Sequence, residues 1–197
     1  MLNRVTLPTL FALAATALAT PALADDEPAH EIVVTAPLGR TTGDALSGSS
    51  VLTGTELTQS LKPTIGETLA HQPGVSSTAF GPNASRPILR GFQGDRVRIL
   101  TDGIGSFDVS STSVDHAVAI NPITADRIEV LRGPSALLYG SSAIGGVVNV
   151  IDSRIPTRVP EGPAAATMIG TVASAADERA NAGGLDVPVA RQIVVHF

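Results

Sequence analysis

Asp115 and His116 are neighbours whose side chains could bind a metal ion, because carboxylate oxygen and imidazole nitrogen both suit zinc and similar divalent cations. They follow a stretch rich in Ser and Thr, a composition typical of exposed loops. A zinc site takes four ligands, and the four histidines show no metal-binding spacing such as H-E-x-x-H. The pair is therefore interpreted either as part of a metal site or as an ordinary solvated turn.

Residues 140–146, GSSAIGG, have the glycine spacing of a phosphate-binding loop but lack the Lys and Ser/Thr that follow its second glycine. Without the lysine, the terminal phosphates of a nucleotide have no partner, so we interpret these glycines as turn and packing residues. Ser135 lies in no nucleophile-elbow motif, and no histidine accompanies it at a recognised spacing. We therefore predict that the chain is not an enzyme and has no cofactor of its own.

Arg90 and Arg132 each precede a glycine in the tripeptide Leu-Arg-Gly, and both lie beside apolar runs. One interpretation is an ordinary surface salt bridge for each arginine, which would contribute little to stability. The other is a pair of charges that reaches out of the domain to acidic residues on a surrounding structure. The residues alone leave both interpretations open.

The composition excludes several classes of protein. With 13 basic and 18 acidic residues and a net charge of −5, the chain lacks the basic surface that neutralises nucleic-acid phosphates. It has no Cys, which excludes disulfide frameworks and thiolate zinc sites. Aromatic residues make up 3% and Trp is absent, too few for the aromatic girdles of a complete lipid-facing barrel.

The first 24 residues are typical of a secretory signal peptide, with a basic start at Arg4, an apolar run and an Ala-x-Ala cleavage site ending at Ala24. The apolar run is shorter than the about 20 residues that a membrane-spanning helix needs. Residues 25–49 have the composition of a flexible linker, apart from a β-prone island, EIVVTA, at residues 31–36. An isolated strand of this kind needs a sheet edge, either that of a partner or that of the chain's own domain.

Residues 50–156 have the patterns of one compact domain. Thr64 and Glu67 form a capping box at the start of a short helix, and Asp102-Gly103 is a turn signal. The nearly continuous β-branched run at 147–151 is typical of a strand buried on both faces. The mixture predicts an α+β fold, with a helix at 64–71 and strands at 51–53, 75–79, 87–89, 96–101 and 147–151 and from 127 onward.

Residues 157–197 differ in composition from the domain that precedes them. They begin as a Pro-containing linker and continue with two runs that have the pattern of strands, at 167–174 and 185–197. The polar residues at 177–184 between these runs predict a turn, so the segment is expected to form a hairpin.

Four segments, in order along the chain, resemble the plug domain of TonB-dependent outer-membrane receptors. The first looks like a TonB box and the last is the strongest match: EIVVTA at 31–36, IGETLAHQPGVSS at 65–77, RPILRGFQGDRVRILTDGI at 86–104 and RIEVLRGPSALLYGSSAIGGVVNVI at 127–151. The resemblance implies a small mixed-sheet plug with short helices that fills a C-terminal β-barrel. It also implies a receptor that binds a metal ion or metal chelate and gates its active uptake into the periplasm.

The resemblance further implies partners and a location. A TonB box pairs as a strand with the energy-transducing protein TonB, and the matching residues are Glu31, Ile32, Val33, Val34, Thr35 and Ala36. Plug arginines in such Leu-Arg-Gly motifs often face barrel glutamates, and Arg90 and Arg132 are the matching positions. The expected location is the cell outer membrane, or the soluble periplasm if no barrel is supplied.

Residues 113–130, SVDHAVAINPITADRIEV, are most similar to the subgroup associated with zinc uptake. In that subgroup an Asp-His pair resembling Asp115-His116 contacts the metal on the outward face of the plug. This resemblance implies zinc as a transported ligand, contacted from the apical loops at 81–85 and 107–116.

A complete barrel of this family has 22 strands of about 9–11 residues each. Only 41 residues follow Pro156, enough for two or three such strands. We therefore expect a plug followed by the start of a truncated barrel, in a fragment, a truncated product or a split receptor. The alternatives are a free periplasmic binding or signalling module with the plug fold, and a nonfunctional truncated receptor.

Overall fold

The computed structural model describes residues 48–81, 83–106, 108–113, 115–156, 158–174 and 177–197. Within these ranges the helices are α1 (Gly54–Ser60) and α2 (Ile65–Leu69), with 3₁₀ turns at Gly94–Arg96, Val109–Ser111, Pro122–Thr124 and Pro134–Tyr139. The strands are β1 (Ser50–Thr53), β2 (Val75–Ser77), β3 (Pro87–Leu89), β4 (Val97–Thr101), β5 (Ile104–Gly105), β6 (Ala125–Leu131), β7 (Gly146–Asp152), β8 (Ala165–Ala173), β9 (Glu178–Ala190) and β10 (Ile193–His196).

Five of these strands form a central mixed sheet in the order β1-β6-β7-β4-β5. β4 and β7 run parallel, and the other neighbours are antiparallel. β2 and β3 pair separately as a small antiparallel sheet. The predicted α+β class, a mixed sheet with short helices, is confirmed, and β1 forms one edge of the central sheet.

Buried side chains cover both faces of the central sheet. Val147 and Val148 are adjacent on β7, fully buried, and belong to two different apolar clusters. Because successive side chains of a strand point to opposite faces, the two clusters lie on opposite sides of the sheet. The prediction of a strand covered on both faces is therefore confirmed. The larger cluster comprises Leu52, Leu57, Ile65, Leu69, Val75, Leu89, Val97, Val118, Ile128, Val130, Val148 and Val150.

Gly146, at the start of β7, has the packing role that the sequence predicts for the glycines of this segment. Its φ is +140°, and a Cβ placed on it would lie 2.7 Å from the carbonyl oxygen of Leu131 on β6. Such an approach is far inside van der Waals contact, so only glycine lets β6 and β7 begin their pairing here.

Helix α2 begins where the capping box predicts. The Thr64 hydroxyl accepts a hydrogen bond from the Glu67 backbone N–H and also contacts the Glu67 carboxylate. The helix ends at Leu69, two residues earlier than expected, and the pattern gave no indication of α1, whose residues are mostly polar. In the described residues no helix is long and apolar enough to cross a membrane.

Glu129 on β6 is buried, although its alternation with apolar neighbours is the pattern of a half-exposed strand. Its carboxylate accepts hydrogen bonds from Arg127 Nε at 2.9 Å and from Asn149 Nδ2 at 3.2 Å. The side-chain oxygen of Asn149, Oδ1, in turn accepts from the N–H of Gly103, in the predicted turn between β4 and β5. This buried polar network links β6, β7 and that turn, and its partners compensate the cost of burying the charge.

β8, β9 and β10 form a second antiparallel sheet in the order β10-β9-β8. The turn predicted at 177–184 is wrong, because β9 already begins at Glu178. The small and polar residues there gave a turn signal, but they belong to β9 and pair with β8. The pairing runs without a break from Ala173 opposite Glu178 to Ala165 opposite Asp186. The connection is therefore much shorter than expected, and β9 extends to 13 residues.

Candidate functional site

Arg132 lies just after β6 and is 8% exposed. Its Nη1 donates to the Pro73 carbonyl at 2.8 Å, and its Nη2 donates to the Ser50 hydroxyl at the start of β1. Its Nε is buried and has no hydrogen-bond acceptor in the described part of the chain. The guanidinium is thus held by two neutral acceptors, and its Nε has no acceptor among the described residues.

Arg90 lies close to Arg132 and is exposed. Two hydrogen bonds between Leu89 and Phe92, each of 2.9 Å, close a tight turn around Arg90 and Gly91, whose φ angles are +51° and +85°. Positive φ at both central positions defines a type I′ turn, which Asn and Gly favour over Arg. A left-handed backbone conformation is energetically unfavourable for a residue with a long side chain, so Arg90 is held in a strained conformation here.

The Arg132 guanidinium lies near a second positive charge, that of Arg90. Burial lowers the pKa of Arg132, and the nearby charge of Arg90 lowers it further. Neither arginine forms an ion pair with a carboxylate of the described residues. The structure thus brings the two predicted arginines together as adjacent like charges, and a salt bridge for each within the described chain is not observed.

Asp115 and His116 lie on the surface, with side chains 67% and 55% exposed. The Asp115 Oδ1 accepts from Ser113 Oγ at 2.5 Å and lies 2.9 Å from His116 Nδ1. These hydrogen bonds, from Ser113 first and then His116, hold the pKa of Asp115 below its usual value. Since a carboxylate only accepts, the proton of a neutral imidazole is on Nδ1, which leaves Nε2 available as a ligand.

No larger metal-binding cluster surrounds this pair in the described residues. No group of three or more His, Cys, Asp or Glu side chains converges anywhere in that part of the chain. Asp115 and His116 therefore provide at most an incomplete site, and further ligands would have to come from a partner or from the transported molecule.

Asp108 organises the loop that leads to Asp115, and sequence reasoning missed it. One carboxylate oxygen accepts from the Ser110 backbone N–H at 2.8 Å and the other from the Ala119 N–H at 3.0 Å. Burial opposes the charge, but these bonds and those from Ser110 and Ser106 hydroxyls outweigh it, so the pKa of Asp108 is lowered. The available signal was an Asp two residues before a Ser, a common Asx-turn pattern.

Arg86 contacts the same loop through its side chain, and the sequence analysis did not identify it either. It is 3% exposed, and its Nη1 donates to the carbonyl of Ser110. Its Nε is buried without an acceptor among the described residues. An arginine just before a strand gives no sign that its side chain binds a backbone carbonyl 24 residues further along the chain.

A second Asp–His pair lies on the C-terminal sheet, and only the strand register reveals it. Asp186 on β9 and His196 on β10 are directly opposite, with Oδ1 and Nδ1 2.6 Å apart. They line a cleft of about 360 Å³ between this sheet and α1. Both belong to the wall of the cleft that faces the central domain.

Several predicted site residues lie outside the described residues. They include Glu31, Ile32, Val33, Val34, Thr35 and Ala36 of the TonB-box segment, and also the signal peptide and most of the linker. Within the apical loops, Pro82, Phe107 and Val114 are likewise outside the described ranges. Their predicted roles stay predictions.

The family model of the TonB-dependent Receptor Plug Domain matches residues 41–147. Because the match covers more than half of the 197 residues, the chain belongs to this plug-domain family. The matched region contains the central sheet up to the first residues of β7, both Leu-Arg-Gly arginines and the Asp115-His116 pair.

Curated relatives are much longer than this chain. The chain is 36% identical over 129 residues to the vitamin B12 transporter BtuB of Vibrio cholerae, which covers 64% of the chain and 21% of the transporter. It is 34% identical over 102 residues to the hemin receptor of Yersinia pestis, covering 50% of the chain and 14% of the receptor. The chain thus spans about a fifth or less of the length of these two relatives.

Solved receptors share the fold. A mutant of the ferric enterobactin receptor PfeA of Pseudomonas aeruginosa, in complex with enterobactin, matches with a TM-score of 0.56 and 23% identity, over 76% of this chain and 24% of that one. The ferric yersiniabactin uptake receptor FyuA of Yersinia pestis matches with a TM-score of 0.53 and 24% identity, over 74% and 22%. None of these four relatives is named for zinc, so the predicted zinc subgroup is not confirmed.

Proposed function

We propose that this chain acts as the plug of an outer-membrane receptor that gates TonB-dependent uptake of a metal ion or metal chelate. The observation that supports this most is the family match to residues 41–147 together with the shared fold of the central sheet. The relatives are named as transporters and receptors, which favours binding and gating over catalysis.

Coupling to TonB is the first part of this proposal. The segment EIVVTA at 31–36 would add as a strand to an exposed edge of the TonB protein. Val33→Pro removes a backbone donor from the middle of that strand and is expected to abolish binding of the full chain to the TonB C-terminal domain. Pro37→Ala, just outside the segment, is the control, and unchanged binding of Val33→Pro would refute the coupling.

Contact with a barrel wall is the second part. Arg90 and Arg132 present adjacent positive charges without a carboxylate partner in the described chain. Acidic side chains on a surrounding barrel would supply the missing charge and bind the planar guanidinium fork. β8 supports such a barrel, because the exposed Met168 and Val172 alternate with half-buried Ile169 and Thr171, as in strands that face lipid on one side.

Metal contact at the apical loop is the third part. The geometry favours His116 Nε2 as the ligand, with Asp115 orienting the imidazole through Nδ1. Isothermal titration of the chain with zinc should give heat that His116→Ala abolishes and that Asp115→Asn weakens by about 10–100-fold in affinity. Replacing His71, which lies outside this loop, is the control. Absence of heat with the parent chain would contradict the zinc part.

Location separates this proposal from its alternatives. If the chain works with a barrel, cell fractionation should recover it in the outer membrane. Recovery in the soluble periplasm would instead favour a free binding or signalling module with a plug fold. A chain that is exported but binds neither the TonB domain nor any metal or chelate would fit a nonfunctional truncated receptor.

A further inference from the structure

β8 is the longest edge strand in the described part of the chain. It has nine residues, whereas the edge strands β1 and β10 have four each and β5 has two. One side of β8 pairs with β9, and no backbone hydrogen bond reaches its other side from any described residue. Proteins usually keep a free edge short, charged or interrupted by Pro, because it can pair with a strand of another chain. β8, with the sequence AATMIGTVA, has none of these protections.

The exposed face of β8 makes this free edge unfavourable in an apolar medium. Met168 and Val172 are 85% and 81% exposed, and Ala166 and Gly170 alternate with the inner residues on the same face. That this face contacts lipid or detergent is taken from the proposed function. In hydrocarbon no water replaces a missing partner, so every backbone N–H and C=O along the edge needs one from protein.

We propose that, in an apolar medium, the free edge of β8 pairs antiparallel with β8 of a second copy of this chain. The two-fold axis passes through Ile169, which then lies opposite Ile169 of the second copy. All nine residues of each strand find a partner in this register, from Ala165 opposite Ala173 onward. The two three-stranded sheets thereby become one continuous six-stranded sheet with a single self-complementary interface.

The residues of β8 are complementary to themselves in this register. Met168 lies opposite Gly170 of the second copy, so each long side chain meets a residue that has none. On the other face Thr167 lies opposite Thr171, which is a favourable cross-strand pair, and no charge opposes the approach. A slip of one residue would turn the apolar face of the second copy to the wrong side of the sheet. Registers centred on Met168 or Gly170 pair fewer residues.

Single cysteines test the register in detergent micelles, because the chain contains no Cys of its own. Under mild oxidation, the purified chain with Ile169→Cys should form a disulfide-linked dimer, since directly opposite residues lie within disulfide reach. Ala165→Cys and Ala173→Cys should each stay monomeric alone, because like residues lie about 27 Å apart, and should cross-link when refolded together. Absence of the Ile169→Cys dimer, or cross-linking of Ala165→Cys alone as strong as in the mixture, would overturn the proposal.

Size-exclusion chromatography with light scattering, in the same micelles, measures the association without cysteines. The parent chain should have twice the protein mass of one copy, and Met168→Lys, which places like charges beside the two-fold axis, should be monomeric. Leu185→Lys is the matched control, because Leu185 lies on the same face but on the central strand β9, opposite Ala166, and should leave the dimer intact. A monomeric parent, or equal effects of the two lysines, would overturn the proposal. Neither measurement uses TonB or a metal ion, so its failure is distinguishable from failure of the proposed function.

Discussion

The two larger sheets of the described chain differ in how far their apolar side chains are exposed to solvent. In the central sheet, Val147 and Val148 of β7 are fully buried on opposite faces. In the C-terminal sheet, Met168 and Val172 of β8 are 85% and 81% exposed. Strand pairing is extensive in both sheets, between β6 and β7 in the first and between β8 and β9 in the second, so backbone hydrogen bonding does not distinguish them.

The difference shows which part of the chain supplies its own stability. The central sheet lies between two apolar clusters that its own helices and loops complete. The C-terminal sheet presents one apolar face to which the described chain contributes no cover. Burial of apolar surface is the main driving force of folding, so we expect the central domain to fold by itself and the second sheet to depend on its surroundings.

The largest effect is expected from truncating the core of the central sheet. Ile128→Ala on β6 removes a fully buried side chain and should lower the free energy of unfolding by about 2–5 kcal/mol. Met168→Ala on β8, the matched exposed position, should change it by less than about 0.5 kcal/mol. Urea unfolding followed by circular dichroism measures both, and equal losses would remove the contrast between the sheets.

The buried carboxylate of β6 should have the next largest effect. Glu129→Gln keeps the shape but removes the charge that Arg127 and Asn149 contact, and should cost about 1–3 kcal/mol. Asp126→Asn, an exposed position on the same strand, is the control. A loss as small as that of the control would mean that the network does not stabilise the central sheet.

A smaller effect separates the two helices that pack on this sheet. Thr64 caps α2 through its side chain, whereas Thr53 precedes α1 without a side-chain cap hydrogen bond. Thr64→Ala should therefore cost about 1 kcal/mol and Thr53→Ala a few tenths at most. Thermal unfolding of the two variants measures this difference, and a reversed order would show that packing and not capping sets the values.

These contrasts also show what the sequence could and could not predict. The Thr64 cap and the buried strand β7 follow from residues within a few positions of each other, and both were predicted correctly. The turn at 177–184 was wrong because Gly183 and Gly184 are turn-like locally, while the register with β8 places them inside β9. Local composition does not contain that register.

The candidate site shows the same difference between what the local sequence predicts and what only the fold reveals. The sequence identified Arg90 and Arg132 individually from their Leu-Arg-Gly context. The contact of Arg132 with Ser50 spans 82 positions, so only the fold could reveal it. Asp186 and His196 meet for the same reason, across two strands whose pairing the sequence does not specify.

The smallest expected effect concerns acid sensitivity of the apical loop. The pKa of Asp108 is lower in the folded chain than its ordinary value, so its contribution to stability is present above about pH 4 and is lost as pH falls through the lowered pKa. Asp108→Asn should therefore reduce the loss of stability on acidification in that range. Thermal unfolding at a series of pH values measures this, and identical pH profiles for parent and variant would contradict the loop's dependence on the charge.

Hydrogen–deuterium exchange of the whole chain, in buffer and in detergent micelles, tests most directly whether a self-sufficient plug precedes strands that need an apolar medium. We expect strong protection of β4, β6 and β7 in both conditions. β8 and β9 should be protected in micelles, which cover Met168 and Val172, and should exchange rapidly in buffer. Equal protection of β8 and β9 in buffer and in micelles would contradict this division of the molecule.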